Sequence, residues 1–243
     1  MQFFTAGDLI SRLNRELDLT SSDPVTLQEK YDYINQGIRE AAAAIHKLGV
    51  EDQYFRASQP LNLNTGQSAY GLPTNIYGNK ILKIMYKNGT DIYEIKRLRH
   101  RNNMSVEMQI AYIQEFGNAE RYSYLIINDS AAFGNELTLY PTSRETSTTR
   151  ATIWYVRLPN VVSQDDDIVD IPEFADFVLQ FAKVKCLRKE FLGEAPEGEI
   201  EELERQRTLM VDTLAEMVPD ENNLVDQDVG FYADFDRWDR GDY

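Results

Sequence analysis

The chain has 243 residues, of which 42% are hydrophobic, enough to bury the core of one large domain or two small ones. Forty acidic residues against 25 basic ones give a net charge of −15, which argues against sequence-independent binding to nucleic-acid phosphates or anionic membranes. The single cysteine, Cys186, excludes an intrachain disulfide framework, and we expect it to be a buried small side chain in a reducing cytosol.

Two amphipathic helices are predicted before residue 50. Thr5 and Asp8 have the spacing of a capping box, so the first helix should begin just after Thr5. Asp23 is a natural N-cap for the second helix, because Pro24 is tolerated at the first helical position, and Gly49 is a natural end. Apolar residues at helical spacing are Leu9, Ile10, Leu13 and Leu17, then Leu27, Tyr31, Ile34, Ile38, Ala41, Ala42, Ile45 and Leu48.

The pattern shortens between residues 53 and 159, where runs of β-branched and aromatic residues alternate with turn signals. The Asn88-Gly89 pair predicts a hairpin, and residues 123–127 and 136–140 are expected to be antiparallel neighbours. Residues 106–116 are ambiguous and could form a short helix. The predicted strands are 54–57, 61–63, 81–86, 92–95, 122–127, 137–140 and 152–156.

Two further helices are predicted after the strands. Pro172 and Glu173 start the third helix, Gly193 stops it, and Pro196 opens the fourth. Helices at both ends of a β-rich middle most simply pack together, so we expect an α+β protein. Its predicted parts are a helical bundle from residues 1–52 and 161–218, an inserted β-rich sandwich or open barrel at 53–160, and an extended tail at 219–243.

The tail combines acidic groups with aromatic ones. Residues 219–243 hold eight acidic residues against Arg237 and Arg240, a composition that normally predicts disorder. A purely solvating segment has no use for aromatics, so we interpret the tail as ordering against a partner or a neighbouring subunit, with plain disorder as the alternative. The candidate anchors are Phe231, Tyr232, Phe235, Trp238 and Tyr243.

A basic run from residue 96 to residue 101 is the one local reversal of charge. It could contact nucleic acid, but the net charge of −15 favours an intersubunit contact with an acidic neighbour, or a solvated loop. The cations of this candidate intersubunit basic loop are Lys96, Arg97, Arg99 and Arg101.

Motifs of catalysis and of metal or cofactor binding are missing from the sequence. The two histidines, His46 and His100, have no metal-ligand spacing, and neither a nucleophile elbow nor a phosphate-binding glycine loop occurs. Residues 165–167, three aspartates, are interpreted as a solvated turn rather than a cation site. The sequence therefore predicts no catalytic residue, metal or cofactor. Two alternatives stay open: a cell-wall glycan hydrolase using some carboxylate pair, and a glycan- or ligand-binding β-domain.

Targeting signals are also missing from the sequence. No run approaches the ~20 apolar residues of a membrane span, and residues 1–4 lack the basic region of a secretion signal. We therefore expect a protein that is made in the cytoplasm and does not associate with a membrane.

Several stretches, taken in order, resemble head-to-tail connector (adaptor) proteins of tailed bacteriophages. They are 9–14 (Leu-Ile-Ser-Arg-Leu-Asn), 33–40 (Tyr-Ile-Asn-Gln-Gly-Ile-Arg-Glu), 70–73 (Tyr-Gly-Leu-Pro) before 80–84 (Lys-Ile-Leu-Lys-Ile), 137–141 (Leu-Thr-Leu-Tyr-Pro), 153–155 (Ile-Trp-Tyr) and 171–174 (Ile-Pro-Glu-Phe). Together they span most of residues 8–192. The acidic tail and the basic run are not part of this pattern.

The resemblance implies a structural virion protein at the head–tail junction, made in the host cytoplasm. It implies a ring, commonly dodecameric, whose partners are its own copies, the portal protein and a downstream tail protein. The helical bundle would pack against neighbouring copies, the β-rich part would face the tail, and the C-terminal segment would reach the portal. DNA would pass through the ring during genome ejection without specific binding.

Overall fold

The computed structural model describes residues 4–17, 25–99, 105–116, 121–129, 134–191 and 193–218. The chain divides into two compact units. The helical unit combines Met1–Glu51 with Asn160–Tyr243, and the β unit is Asp52–Pro159. The protein is therefore mixed α+β, as the sequence predicted.

Helices and strands are numbered in chain order. The helices are α1 (Ala6–Glu16), α2 (Leu27–Leu48), α3 (Glu51–Tyr54), α4 (Val106–Phe116), α5 (Ala175–Glu190, after a 3-10 turn at Pro172–Phe174) and α6 (Glu197–Glu216). The strands are β1 (Arg56–Leu63), β2 (Ala69–Gly71), β3 (Ile76–Asn88), β4 (Asp91–Glu94), β5 (Lys96–Arg97), β6 (Ser123–Asp129), β7 (Gly134–Tyr140) and β8 (Ser147–Arg157).

Both N-terminal helices begin with a capping box, but α2 begins later than predicted. The Asp8 N–H donates to the Thr5 hydroxyl over 3.2 Å, and the Thr5 N–H donates to the Asp8 carboxylate over 3.0 Å, which confirms the cap of α1. The N-cap of α2 is Thr26, paired with Glu29, so the prediction of Asp23 was wrong. The Thr26 box prevails because it satisfies two backbone donors reciprocally.

The helix ends agree with the sequence more closely. Gly49 closes α2 with a φ of 76°, in the left-handed region that favours glycine. Beyond the last residue of α5, Gly193 has a φ of 118° and its N–H donates to the Arg188 carbonyl over 2.7 Å. Pro196 caps α6.

Helix α5 packs against α1, α2 and α6 and is buried on most of its circumference. Its buried residues are Ala175, Phe177, Val178, Leu179, Gln180, Ala182, Val184 and Cys186, so the predicted burial of the cysteine is confirmed. The stripe of α2 is buried from Tyr31 to Ile45, whereas Leu27 is 54% exposed. The predicted apolar face of α2 is therefore one turn too long at its start.

The β unit contains two four-stranded sheets. The first has the order β1-β8-β3-β4 with antiparallel neighbours, and the second has the order β2-β7-β6-β5 with β5 parallel to β6. The hairpin at Asn88 and Gly89 joins β3 to β4, and β6 pairs antiparallel with β7, which confirms both pairings. The ambiguous segment 106–116 is a helix.

The first two predicted strands are a single strand, β1, and Tyr54 belongs to α3 instead. Pro60 lies within β1, which is the edge of its sheet, where a residue without an N–H is tolerated. Strands β2 and β5 were not predicted, because two or three residues carry too little periodicity.

The two sheets pack face to face over one core. Ile84 and Ile153 of the first sheet meet Leu137 and Leu139 of the second, and all four are at most 1% exposed. The chain passes from the first sheet to the second at the buried Ile95. This arrangement agrees with the sandwich alternative.

Candidate interaction surfaces

The motif 33–40 serves structural contacts inside the helical unit. Asn35 donates its side-chain amide to the Val162 carbonyl over 2.8 Å and accepts the Val162 N–H over 2.9 Å, in a buried site. A Cβ on Gly37 would lie 3.2 Å from the Val178 carbonyl oxygen, so a larger residue there would push α2 and α5 apart by a few tenths of an ångström. The motif thus fixes one loop and one helix against α2.

The three aspartates at residues 165–167 form part of that loop. Asp165 accepts the Tyr31 hydroxyl over 2.6 Å, a hydrogen bond that raises the pKa of Tyr31 to about 12. Asp167 accepts the N–H groups of Ser163 and Gln164, and the Ser163 hydrogen bond is the main cause of the lowered pKa of Asp167. The segment is a hydrogen-bonded turn. Within the described ranges no cluster of His, Cys, Asp and Glu is suited to a metal ion.

Ion pairs tie the helices of this unit together. Lys189 contacts both carboxylate oxygens of Glu29 at 2.6 Å, and this contact, followed by the Thr26 cap, lowers the pKa of Glu29 to about 2. Lys183 of α5 lies 2.9 Å from Glu199 of α6 and 3.7 Å from Glu16 of α1. Charged groups at helix boundaries therefore favour one relative placement of the helices.

The predicted basic loop begins as strand β5. Ile95 and Leu98 are buried, while Lys96, Arg97 and Arg99 are exposed. The Leu98 N–H donates to the Tyr124 carbonyl over 2.7 Å, which fixes the strand beside β6. The structure thus brings three of the four predicted cations to one sheet edge. Arg101, the fourth, lies outside the described residues.

The five predicted tail anchors all lie outside the described residues. They are Phe231, Tyr232, Phe235, Trp238 and Tyr243.

A cation–aromatic cluster on the first sheet was not predicted from the sequence. The guanidinium carbon of Arg56 lies 4.8 Å from the ring centre of Trp154, and Lys83 Nζ lies 5.6 Å from it. Arg56 belongs to β1, Trp154 to β8 and Lys83 to β3, so residues far apart in sequence meet only through strand pairing. The alternation of Lys83, Met85 and Lys87 on β3 was the one local signal.

The described cavities are small. One of about 290 Å³ in the β unit has a single carboxylate, Asp91, in its lining, and one of about 180 Å³ in the helical unit has only Glu40. A glycosidase of the usual kind needs a pair of carboxylates across its substrate, and neither lining supplies a pair. In the described part of the chain, no helix is both long and apolar enough to cross a bilayer.

A model of the SU10 adaptor protein family matches residues 4–228, and the chain belongs to this family. The match runs through both units and confirms the resemblance to head-to-tail adaptors found in the sequence. Membership implies a structural role in a phage virion. No curated protein matches the chain.

Proposed function

We propose that this chain is the subunit of an adaptor ring, expected to be dodecameric, that joins the portal to the tail and lets DNA pass. The observation that carries the proposal is the family match over residues 4–228, which includes both units. Cyclic closure gives such a subunit its function, because the product of assembly is a set of repeated interfaces.

The helical unit is the part we expect to act as a bundle that meets neighbouring copies. Val211 lies on α6 and Val218 lies two residues beyond its end, and they are 37% and 41% exposed. The cavity beside Val211 is lined by Ala43 and Ala44 of α2, whose small side chains leave an apolar depression. An apolar strip of this kind suits the core of a subunit interface.

Charge is divided unevenly between the two units. Residues 52–159 carry twelve basic and nine acidic groups, a net charge of +3. Because the whole chain has a net charge of −15, the residues outside this range have a net charge of −18. Carboxylates repel DNA phosphates, so a channel lined by the helical unit would let DNA slide without gripping it.

The C-terminal segment is proposed to anchor the ring. Its aromatics, from Phe231 to Tyr243, would fill pockets of the portal or of a neighbouring subunit, while its carboxylates meet basic groups there. The basic loop would form a second intersubunit contact. Its cations are Lys96, Arg97 and Arg99 at the sheet edge, together with Arg101.

The test mixes the purified full chain with portal rings and separates the mixture by velocity sedimentation. We expect the chain to co-sediment with portal rings, and class averages from electron microscopy to show one added layer with the rotational symmetry of the portal. A chain that stays at the top of the gradient at saturating concentration would refute the proposal.

A further inference from the structure

The outer face of the first sheet combines cations with apolar side chains, of which Ile92 is exposed and Met85 and Trp154 are half-buried. Strand pairing places Lys83 beside Trp154, and Lys87 beside Ile92, on the side away from the core. We call this surface the cationic sheet face. Its members are Arg56, Lys83, Met85, Lys87, Ile92 and Trp154. Glu94, opposite Met85 in the β3–β4 pair, lies on the same side and forms an ion pair with Lys96 at 3.2 Å.

The side of the sheet follows from alternation along the strands. Ile84 and Tyr86 of β3 and Ile153 of β8 are buried in the core between the sheets. Their neighbours along the chain therefore point the opposite way, since successive side chains alternate between the two faces of a strand. Ile92, with 63% of its surface exposed, shows that this outer side is open at β4.

Arg56 and Lys83 share one aromatic ring. Other described cations pair with carboxylates, as in Lys189 with Glu29, or lie singly over a ring, as in Arg157 over Phe55 and Lys185 over Phe181. Around Arg56 and Lys83, no carboxylate of the described residues lies within ion-pair distance, and both cations lie over the ring of Trp154. In a chain with 40 acidic residues, two such cations beside one aromatic ring are available for an acidic ligand.

The geometry points to residues 219–243 of a second copy as the occupant, and we propose that this segment binds the cationic sheet face. The segment has a net charge of −6, from eight acidic and two basic residues, and the β unit is the part of the chain with a net positive charge. The segment contains the sequence Asp234-Phe235-Asp236, in which an aromatic residue is flanked by two carboxylates. This order complements Trp154, which has the cations Arg56 and Lys83 beside its ring. Acidic α6 has exposed carboxylates as well, but it lacks aromatic partners for Trp154.

Length also allows the contact. The segment starts where α6 ends, and its first aromatic, Phe231, follows Val218 by thirteen residues. Such a stretch can extend about 43–47 Å. The inference rests on the proposed ring, because the ring is what holds a second copy within that distance.

The first experiment measures binding of a dye-labelled synthetic peptide of residues 219–243 to the full chain by fluorescence anisotropy. We expect saturable binding that weakens with added salt. The double variant Arg56→Glu with Lys83→Glu should lose about tenfold or more in affinity. The control is Arg121→Glu with Arg144→Glu, which changes the net charge of the same unit equally and should keep most of the affinity.

Three results of that titration would overturn the proposal. They are the absence of saturable peptide binding, an equal loss in both double variants, and tighter binding of a DNA duplex to the same face than of the peptide. Far-UV circular dichroism of each variant separates loss of the surface from loss of the fold.

The second experiment asks which copy supplies the segment. The variant Lys83→Cys with Asp236→Cys, assembled on portal rings and oxidised, should give a ladder of crosslinked chains on a denaturing gel, whereas Arg144→Cys with Asp236→Cys should not. A crosslinked monomer would place the segment on its own subunit and refute the proposal. Rings that form without crosslinks would refute this inference but not the proposed function. Peptide binding in the absence of ring formation would refute the proposed function but not this inference.

Discussion

At the scale of single residues, two positions of α2 explain much of the helical unit. Gly37 allows the backbone of α5 to come close, and Asn35 replaces a missing backbone partner for Val162. Both residues belong to the segment 33–40 that carries the family resemblance. Asn35 acts through its side chain, and Gly37 acts because it has none. That segment is therefore explained by packing and hydrogen bonding rather than by chemistry on a substrate.

Gly37→Ala should destabilise the folded protein. The added Cβ would lie 3.2 Å from a backbone oxygen and 3.3 Å from the Cα of Val178, so two helices must separate slightly, at a cost of about 1–3 kcal/mol. Urea unfolding followed by circular dichroism measures the change. The control is Gly198→Ala on α6, where a Cβ meets nothing within 4 Å and alanine should be neutral or stabilising. Equal behaviour of the two variants would show that close approach at Gly37 is unimportant.

Asn35→Ala should lower the free energy of unfolding by more than substitution of an exposed polar residue does. It leaves both the N–H and the carbonyl of Val162 without their side-chain partner in a site where Asn35 is 5% exposed, and each lost group costs about 1–3 kcal/mol. Arg39→Ala, at an exposed position of the same helix, should stay within about 0.5 kcal/mol of the parent. The prediction fails if the two free energies of unfolding agree.

At the scale of elements, the ion pair between Glu29 and Lys189 joins the first turn of α2 to the end of α5. The folded-state pKa of Glu29 is about 2, below its value of 4.5 without these contacts, because Lys189 and the Thr26 cap stabilise the carboxylate. The contribution of this pair is therefore complete above about pH 4.5 and is lost as the pH falls toward 2.

Glu29→Gln tests that pH window. The difference in urea midpoint between parent and variant should be largest near neutral pH and should shrink between pH 4.5 and 2. Lys189→Gln should show the same trend, because it removes the other half of the pair. A difference that is unchanged across the pH range would mean that the variant acts through packing instead.

Elements also show what could be read from the sequence and what could not. Helix α2 was predictable because one apolar stripe persists over several turns, and α5 because Pro172 and Gly193 bound a long apolar segment. The start of α2 was misplaced because both Asp23 and Thr26 are good caps, and the choice depends on the carboxylate of Glu29. The cluster around Trp154 was out of reach, because Arg56 and Lys83 are brought together only by the pairing of β1 and β3 with β8.

At the scale of the whole molecule, the family match defines the role as structural, and the division of charge suggests how copies meet. A β unit of net +3 and remaining residues of net −18 are complementary, so the proposed ring would favour contacts between unlike parts of adjacent copies. Electrostatic complementarity of this kind sets the register of association more than its strength.

Replacing Phe231, Phe235 and Trp238 by alanine should weaken assembly on the portal by about tenfold or more, because aromatic anchors dominate interface energies. The control replaces Asn222, Asn223 and Gln227 by alanine, which is the same number of substitutions in the same segment. It should leave assembly nearly unchanged. Deleting residues 219–243 should have the effect of the aromatic variant while the helical circular dichroism signal of the remaining chain persists. If all three proteins co-sediment with the portal like the parent, the tail has no part in docking.

Electron microscopy of assembled phage particles carrying a labelled copy of this chain is the most direct measurement of the adaptor role. Label density should appear at the vertex where the head meets the tail, in a ring coaxial with the DNA channel. Density elsewhere on the particle, or particles with complete head–tail junctions from which the chain is missing, would contradict the account.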